Sequence, residues 1–518
     1  MFRDVSSDYF MRPIQILIID LGSQYTLVIG RMLRELGYRS AIFSPRKAES
    51  WLKNNRPKAI ILSGGSASVY EDGSPRPPKN ILKASTPILG ICYGMQWLAH
   101  VQNGSVVPHQ ENKEYGKTIA GFDTKEKLFS GIKKQSVVWA SHGDSVEKVP
   151  KGYKIIARSK DTNTVAAMAN PEKRIWGVQF HPEVTHSEEG KEILLNFLGK
   201  ISGCQKDWKP ADIINEIRNK TAGAAKGKKA IIGFSGGVDS TTLSAVLSAV
   251  FQKNLLAVSI DTGALRRNEL EEIAGNAKSA GVNLKIVKAA GRFQKVIGKN
   301  THSELKRKRF KKLYGRILEE EAKRFKADFI IQGSLATDLI ESGSAGKADL
   351  IKSHHNVGLN LKIKELHPFR NLFKYEVREL ARQLRLPDSI SGRQPFPGPG
   401  LFIRVIGEPP KKEKLEIVRW ADGEVTDILK KYKLYDDISQ LIVALDCHRT
   451  VGIKGDGRVY AYSVIVRAVK TMDFMTAHGV QFPAHIRKEI SSVVTRHPRI
   501  VRVFFDETDK PPATTEME

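Results

Sequence analysis

Short apolar runs alternate with helical patterns over two long stretches of the 518-residue chain. Between residue 14 and about residue 200, "IQILIID", "AIILSGG" and "PILGIC" are typical of buried strands, whereas "TLVIGRMLRELG" and "YGMQWLAHVQNG" are typical of helices. A second series follows the small, basic spacer "TAGAAKGKK", with strands predicted at "KAIIGF", "LLAVSID", "LKIVKAA" and "ADFIIQG". Strands that alternate with helices indicate parallel α/β sheets.

A Pro/Gly-rich segment, "SGRQPFPGPGLFIRV", marks a further boundary, beyond which helices mix with strands such as "RIVRVFFDE". We therefore predict an N-terminal extension (1–13), two doubly wound, mostly parallel-sheet α/β domains (14–205 and 206–395) and a smaller α+β domain (396–518).

Composition narrows the class of protein. Three scattered cysteines are too few for a disulfide framework and lack the spacing of a zinc site, which favours a cytoplasmic setting. No run of eighteen apolar residues exists, so we predict no membrane span. The net charge is +27, with the densest basic run at 305–324. We interpret this run as a solvated helix and, because it lacks an interleaved aromatic platform, we do not expect nucleic-acid binding.

A candidate nucleophile stands in "PILGICYGMQ". Cys92 follows a predicted buried strand and precedes a helix, and Gly90 and Gly94 flank it as G-x-C-x-G. Glycines at these positions allow the tight turn of a nucleophile elbow, and a helix N-terminus favours the thiolate. A packed, unreactive cysteine is the alternative.

A candidate base lies in "IWGVQFHPEVTH". His181 and Glu183 are two residues apart in an extended segment, so both side chains point the same way and the carboxylate can orient the imidazole. His186 is an alternative whose spacing from Glu183 fits less well. In "ILSGGSAS", the Gly-Gly at 64–65 offers a backbone N–H that can help the amide of Tyr93 hold an oxyanion.

Together "LSGG", "GICYGMQ" and "GVQFHPE" resemble the class I glutamine amidotransferases. The resemblance implies a catalytic triad at Cys92, His181 and Glu183, which hydrolyses glutamine to glutamate and ammonia through a thioester. It also implies oxyanion or glutamine-binding roles for Gly65, Tyr93 and Gln96. Ser66 departs from the proline that many relatives have there.

The second chemical motif is "GFSGGVDSTTL", a glycine-containing turn between a strand and a helix. Its backbone N–H groups and the helix dipole form an anion site, but it lacks the lysine of the Walker loop. The Ser235 and Ser240 hydroxyls can hold a diphosphate, and Asp239 can approach Mg²⁺.

S-G-G-x-D-S resembles the loop of the ATP pyrophosphatases, which transfer AMP to an acceptor oxygen and release pyrophosphate. The resemblance implies ATP, with Mg²⁺, as the ligand of the loop. Asp261, at the end of the next strand, fits the ligand edge of an open α/β sheet. The candidate ATP-binding residues are Ser235, Gly236, Gly237, Val238, Asp239, Ser240, Thr241 and Asp261.

Longer segments, among them "QGSLATDLIES", "IKSHHNVGLNLK", "GRQPFPGPGLFIRV" and "KPPATTEME", resemble the glutamine-hydrolysing GMP synthases from about residue 14 to residue 518. This implies amination of xanthosine 5′-monophosphate (XMP) to GMP through an adenyl-XMP intermediate, and a homodimer formed by the C-terminal domain. The candidate XMP-binding residues are Lys352, Arg404, Lys510 and Glu516.

Departures from that family's pattern lie in the acceptor-facing parts and bear on the acceptor contacts. They are Ala336, Thr337, "GLN" at 358–360, Gln394, Thr515 and Met517. Two rival hypotheses stay open at this point. One is an adenylating tRNA-modifying enzyme, although no cysteine lies between 205 and 446 for sulfur transfer. The other is a basic binding protein that kept the fold without the activity.

Overall fold

The computed structural model describes residues 13–23, 25–108, 114–335, 363–471, 477–510 and 512–518. Contacts between residues divide the chain into two compact units, one up to Asp212 and the other from Ile213 to Glu518. Among the described residues, no helix combines the length and apolar character that a membrane crossing needs.

A nine-stranded sheet forms the centre of the first unit, in the order β2-β1-β3-β4-β11-β10-β9-β6-β7. Five of its strands run parallel, and the other four extend the sheet antiparallel beyond β11. The strands are β1 (Ile16–Ile19), β2 (Ser40–Phe43), β3 (Ala59–Leu62), β4 (Ile88–Ile91), β5 (Ser105–Pro108), β6 (Glu114–Phe122), β7 (Gln135–His142), β8 (Asp144–Lys148), β9 (Lys154–Ser159), β10 (Val165–Asn170) and β11 (Ile175–Val178). A separate two-stranded ribbon pairs β5 with β8.

Both faces of the parallel part are covered by helices. The helices are α1 (Thr26–Glu35), α2 (Pro45–Leu52), α3 (Tyr93–Val101) and α4 (Gly190–Leu195). Alternate residues of β1 enter two different cores: Ile16 and Ile18 pack with α1 and α4, whereas Leu17 and Ile19 pack with α2 and α3. This period of two explains why a strand buried on both faces reads as a continuous apolar run.

In the second unit, a five-stranded, all-parallel sheet has the order β14-β13-β12-β15-β16. Its strands are β12 (Ala230–Gly233), β13 (Leu255–Asp261), β14 (Asn283–Lys288), β15 (Phe329–Ile331) and β16 (Lys364–Leu366). The helices around it are α5 (Pro210–Ala225), α6 (Val238–Phe251), α7 (Glu269–Ser279), α8 (Ala290–Ile297), α9 (Ser303–Phe325), α10 (Lys374–Gln383) and α11 (Asp388–Ser391).

A third sheet completes the second unit, with the order β17-β18-β19-β20 and β21 paired with β19. Its strands are β17 (Val405–Ile406), β18 (Gln440–Lys454), β19 (Gly457–Lys470), β20 (His478–Gly479) and β21 (Ile500–Asp506), and its helices are α12 (Lys412–Lys431) and α13 (Ala484–Val494). One apolar core runs from the second sheet into the third, from Ile231 to Ile500.

The fold class predicted from the sequence is confirmed: two α/β parts with parallel-rich sheets precede an α+β part. The four-strand antiparallel extension of the first sheet was not anticipated. The domain boundaries at 205/206 and 395/396 stay predictions.

Candidate active sites

In the first unit, Cys92 occupies a strained turn between β4 and α3, with φ 51° and ψ −109°. A side chain is rarely held in such a conformation unless the surroundings fix it. Two glycines make the turn possible, since a Cβ on Gly90 would lie 2.6 Å from the carbonyl carbon of Gly94, and one on Gly94 would lie 2.6 Å from the Leu62 oxygen. The turn presents the thiol at the carboxyl edge of the sheet.

A buried acid–base pair faces this thiol. His181 Nδ1 lies 2.7 Å from Glu183 Oε1, and Cys92 is near enough to His181 to affect the pKa of the imidazole. Burial alone would lower the pKa of His181, but Glu183 and Cys92 outweigh burial and raise it well above its ordinary value. His186 lies elsewhere, with its ring 4.6 Å from that of Trp139. The structure therefore brings together the three residues of the predicted triad.

The predicted oxyanion residues lie beside the thiol. A Cβ on Gly65 would come within 3.3 Å of the Tyr93 ring, and one on Gly64 within 3.1 Å of His181. The loop after β3 therefore packs directly against the start of α3 and the imidazole. The role of the Gly65 and Tyr93 amides as oxyanion donors stays a prediction.

Gln96 has a different environment from the one expected of a residue open to substrate. Its side chain is buried, and its Nε2 donates to the Asp144 oxygen at 2.7 Å and to Gln179 Oε1 at 3.4 Å. Gln179 in turn places its Nε2 3.6 Å from Cys92 Sγ. Sequence reasoning missed Gln179, although it stands two residues before His181 and the alternation rule that paired His181 with Glu183 also applies to it.

A second buried pair supports the turn that contacts the site. His142 Nε2 lies 3.2 Å from Glu114 Oε2. Burial would raise the pKa of Glu114, but hydrogen bonds from His142, Ser159 and Thr162 outweigh it and lower that pKa to about 2. Ser141, beside His142, places its carbonyl 3.8 Å from Cys92 Sγ. This support was also missed from the sequence.

In the second unit, the predicted phosphate loop joins β12 to α6. Gly236 has φ 70°, and a Cβ there would lie 2.8 Å from Ile273. Ser235 Oγ and Ser240 Oγ are 3.2 Å apart, and Ser235 Oγ accepts from the Gly237 amide at 3.3 Å. The turn, its two hydroxyls and the N-terminus of α6 thus lie together, as the predicted anion site requires.

The positive charge that the phosphate loop itself lacks is supplied by a helix that is distant in the sequence. Lys374, the first residue of α10, places Nζ 2.5 Å from Asp239 Oδ2. Asp239 Oδ1 is buried and has no hydrogen-bond partner among the described residues. An unsatisfied carboxylate oxygen at a phosphate site fits a Mg²⁺ ion, which prefers oxygen ligands. Asp261 ends the neighbouring strand β13, and its Oδ1 accepts from the Gly263 amide at 2.9 Å.

Two of the predicted acceptor residues lie together in a buried cluster. Arg404 is fully buried and contacts Asp422 Oδ1 at 3.0 Å and Glu516 Oε1 at 3.3 Å. Gln440 also donates to Glu516 Oε1, at 2.7 Å. Arg266, which sequence reasoning missed, lies 3.4 Å from Asp422 Oδ2.

An aromatic ring completes this cluster, since Phe396 packs against the Arg266 and Arg404 guanidinium groups at 4.4 Å and 5.0 Å. Lys510 lies in a backbone bridge with Ala477. Lys352, Ala336, Thr337 and segment 358–360 lie outside the described residues.

Comparison with known proteins agrees with this geometry. A family model described as glutamine amidotransferase class-I matches residues 17–201, and one described as GMP synthase C terminal domain matches residues 427–517. The GMP synthase [glutamine-hydrolyzing] of Treponema denticola is 42% identical over 97% of this chain and 97% of its own. That of Thermus thermophilus is 42% identical over 97% of this chain and all of its own.

The chain belongs to the glutamine-hydrolysing GMP synthase family. A solved structure of a glutamine amidotransferase from Thermotoga maritima is 21% identical and covers 37% of this chain and 99% of its own, with a TM-score of 0.30. Membership of the family confirms the enzyme class predicted from the motifs.

Proposed function

We propose that this GMP synthase family member makes GMP by amination of XMP, with glutamine as nitrogen donor and ATP cleaved to AMP and pyrophosphate. The observation that carries the proposal is that one chain holds both an elbow cysteine with a buried His–Glu pair and a phosphate loop without a lysine. Neither arrangement alone accounts for the whole reaction.

In the first unit, the Cys92 thiol gives its proton to His181 and attacks the amide carbon of glutamine. The raised pKa of His181 makes it a stronger base for this step, and Glu183 holds its Nδ1 side. His181 then delivers the proton to the departing ammonia, which leaves a thioester. Water hydrolyses the thioester, releases glutamate and restores the thiol. The amides of Gly65 and Tyr93 are the proposed oxyanion donors.

In the second unit, the 2-oxygen of XMP attacks the α-phosphorus of ATP, and pyrophosphate leaves. Ammonia then adds to C2 of the purine and AMP departs with the oxygen. The backbone of 235–241 and the hydroxyls of Ser235 and Ser240 hold the pyrophosphate part, with Lys374 beside it. Asp239 would hold a Mg²⁺ ion, which when bound offsets negative charge on the phosphates.

The acceptor is proposed to bind near Arg404, Glu516 and Arg266. Arg266 is partly exposed and stacks on Phe396, so it suits a planar, phosphate-bearing ligand. Arg404 is fully buried and would act by holding Glu516 in place. The roles of Lys352 and Lys510 in binding XMP stay part of the proposal on the ground of the family resemblance alone.

A homodimer is proposed through the β18–β19 hairpin. Ile453 is 81% exposed and Tyr460 59% exposed, and Val451, directly opposite Tyr460, is exposed as well. Apolar side chains clustered on one exposed face indicate an interface.

Nucleic-acid binding is not proposed, since several cations of the basic run on α9 already have protein partners. A cytoplasmic location remains part of the proposal.

An endpoint assay tests the function. Purified protein receives Mg-ATP, glutamine and XMP, with each component omitted in turn, and products are separated by chromatography. GMP, AMP, pyrophosphate and glutamate should appear together and only with XMP. Glutamate without AMP would mean that the acceptor is a different one. Steeply salt-dependent RNA binding, with no GMP formed, would favour the rival tRNA or binding hypotheses.

A further inference from the structure

One lysine of the basic run is out of contact with solvent. Lys306, in the first turn of α9, is 0% exposed. Its Nζ donates to the Val405 oxygen at 2.8 Å and to Glu518 Oε2 at 2.6 Å. Burying an ammonium group is unfavourable unless partners replace its water, so these two contacts keep Lys306 in place.

Both partners of Lys306 adjoin the acceptor cluster, which is the buried cluster of Arg404, Glu516 and Arg266 where the acceptor is proposed to bind. Val405 directly follows Arg404, and Glu518 lies two residues beyond Glu516. Arg404 and Glu516 are themselves paired at 3.3 Å. Lys306 therefore cross-links the two chain segments that carry this pair, without touching either member of it.

The next residue on α9, Arg307, also contacts the C-terminal segment 512–518. Arg307 donates through Nη2 to the backbone oxygen of Glu518. Within segment 512–518, Thr514 Oγ1 donates to the Glu516 oxygen at 2.6 Å, and the Thr515 oxygen accepts from Arg467 Nε at 3.3 Å. The start of α9 thus fixes one end of a segment whose middle is held by internal arginines.

We propose that Lys306 is a positioning residue of the acceptor site: it anchors segment 512–518 through Glu518 and so holds Glu516 against Arg404 and Gln440. The inference rests on the proposed binding of XMP at this cluster. It also gives part of the unexplained basic run a role inside the protein. Without the anchor, the fraction of molecules with the cluster assembled falls, and the apparent affinity for XMP falls by the same factor.

The test compares Lys306→Met with Lys308→Met. Lys308 is on the same helix, but its side chain is 68% exposed and it pairs with Glu304 only at 3.9 Å. Rates are measured with ammonia as nitrogen donor, so that the glutaminase does not contribute. Lys306→Met should raise KM for XMP by about 10-fold or more while KM for ATP changes less than about 2-fold. Lys308→Met should match the wild type.

Two further variants separate anchoring from loss of fold. Glu518→Gln removes the negative charge that pairs with Lys306 and should also raise KM for XMP, whereas Lys306→Arg, which keeps the positive charge, should restore much of the loss. Hydrogen exchange of the amides in 512–518 should rise in Lys306→Met but not in Lys308→Met.

Unchanged exchange in 512–518, or faster exchange with an unchanged KM for XMP, would overturn the inference. So would equal increases in KM for ATP and XMP. If the wild type itself makes no GMP from XMP, the proposed function fails, whereas the exchange experiment still decides whether Lys306 anchors the segment.

Discussion

Replacing Cys92 by glycine should make the first unit more stable than replacing it by alanine. Both variants remove the thiol, so both should lose glutamine-driven synthesis and keep synthesis from added ammonia. They differ in the backbone, because φ 51° with ψ −109° is unfavourable for any residue with a Cβ and acceptable for glycine. The comparison therefore isolates the strain of the elbow from the chemistry of its side chain.

The expected difference in the free energy of unfolding between the two variants follows from two opposing effects. Holding a non-glycine residue in such a conformation costs about 1–3 kcal/mol. Glycine loses more conformational freedom on folding, which costs roughly 0.5–1 kcal/mol. From the middle of the two ranges, the glycine variant should be about 1 kcal/mol more stable, which corresponds to roughly 2–4 °C in Tm for a unit of this size.

Tryptophan fluorescence can follow this unit alone, because five of the six tryptophans of the chain lie in it and only Trp420 lies in the other. Ala99→Gly, in the interior of α3, is the matched control and should lower Tm, since glycine destabilises a helix by about 1 kcal/mol. A Cys92→Gly variant that melts at or below Cys92→Ala would refute the strained elbow.

Three other perturbations test separate parts of the reasoning. Glu183→Gln should lower the pKa of His181 and reduce glutamine-driven kcat by about 100-fold or more while ammonia-driven synthesis is unchanged; equal loss in both assays would contradict it. Asp239→Ala should abolish synthesis from either nitrogen donor, as judged by AMP release, and AMP release at the wild-type rate would exclude a role for this carboxylate. Glu114 has a pKa depressed from 4.5 to about 2, so its stabilisation is full above pH 4.5 and lost as the pH falls towards 2. Glu114→Gln should therefore reduce the free energy of unfolding, measured by urea denaturation, by about 3 kcal/mol at pH 7 and by much less at pH 3. A loss of stability that is the same at both pH values would rule out this account.

The local sequence pattern was sufficient to predict those strands and site residues whose interacting partners are close in the sequence. The strands of the parallel sheets and the elbow at Cys92 follow from apolar runs and from glycine spacing. The pairing of His181 with Glu183 was also predicted, but for the wrong local reason: the two residues lie in a turn beyond the end of β11 and not in an extended segment. The antiparallel strands β6, β7, β9 and β10 were not singled out. Half-buried strands such as β6 and β7 alternate buried and exposed positions and give weaker apolar runs. β10 is buried along its whole length, but three of its six residues are alanine, which is a weak strand signal.

The local sequence pattern did not predict ion pairs between residues that are far apart in the sequence. Lys374 meets Asp239 across 135 residues, and Lys306 meets Glu518 across 212. Nothing near Asp239 signals that α10 brings a lysine to it, and Lys306 looks like any other member of a basic run. Burial decides which cation of such a run is structural, and burial is a property of the fold.

Gln394 illustrates how a departure from a family pattern acts through the backbone. Its Oε1 accepts from the Leu441 amide at 2.8 Å, while its Nε2 donates to the Tyr435 oxygen at 3.0 Å. A side-chain amide satisfies a donor and an acceptor at once, so Gln394 ties the loop before β18 to the second residue of that strand. That loop leads directly to Gln440, which holds Glu516 in the acceptor cluster. We therefore expect the residue at 394 to affect the proposed acceptor site by fixing where Gln440 lies, even though the contacts of its own side chain are to backbone atoms.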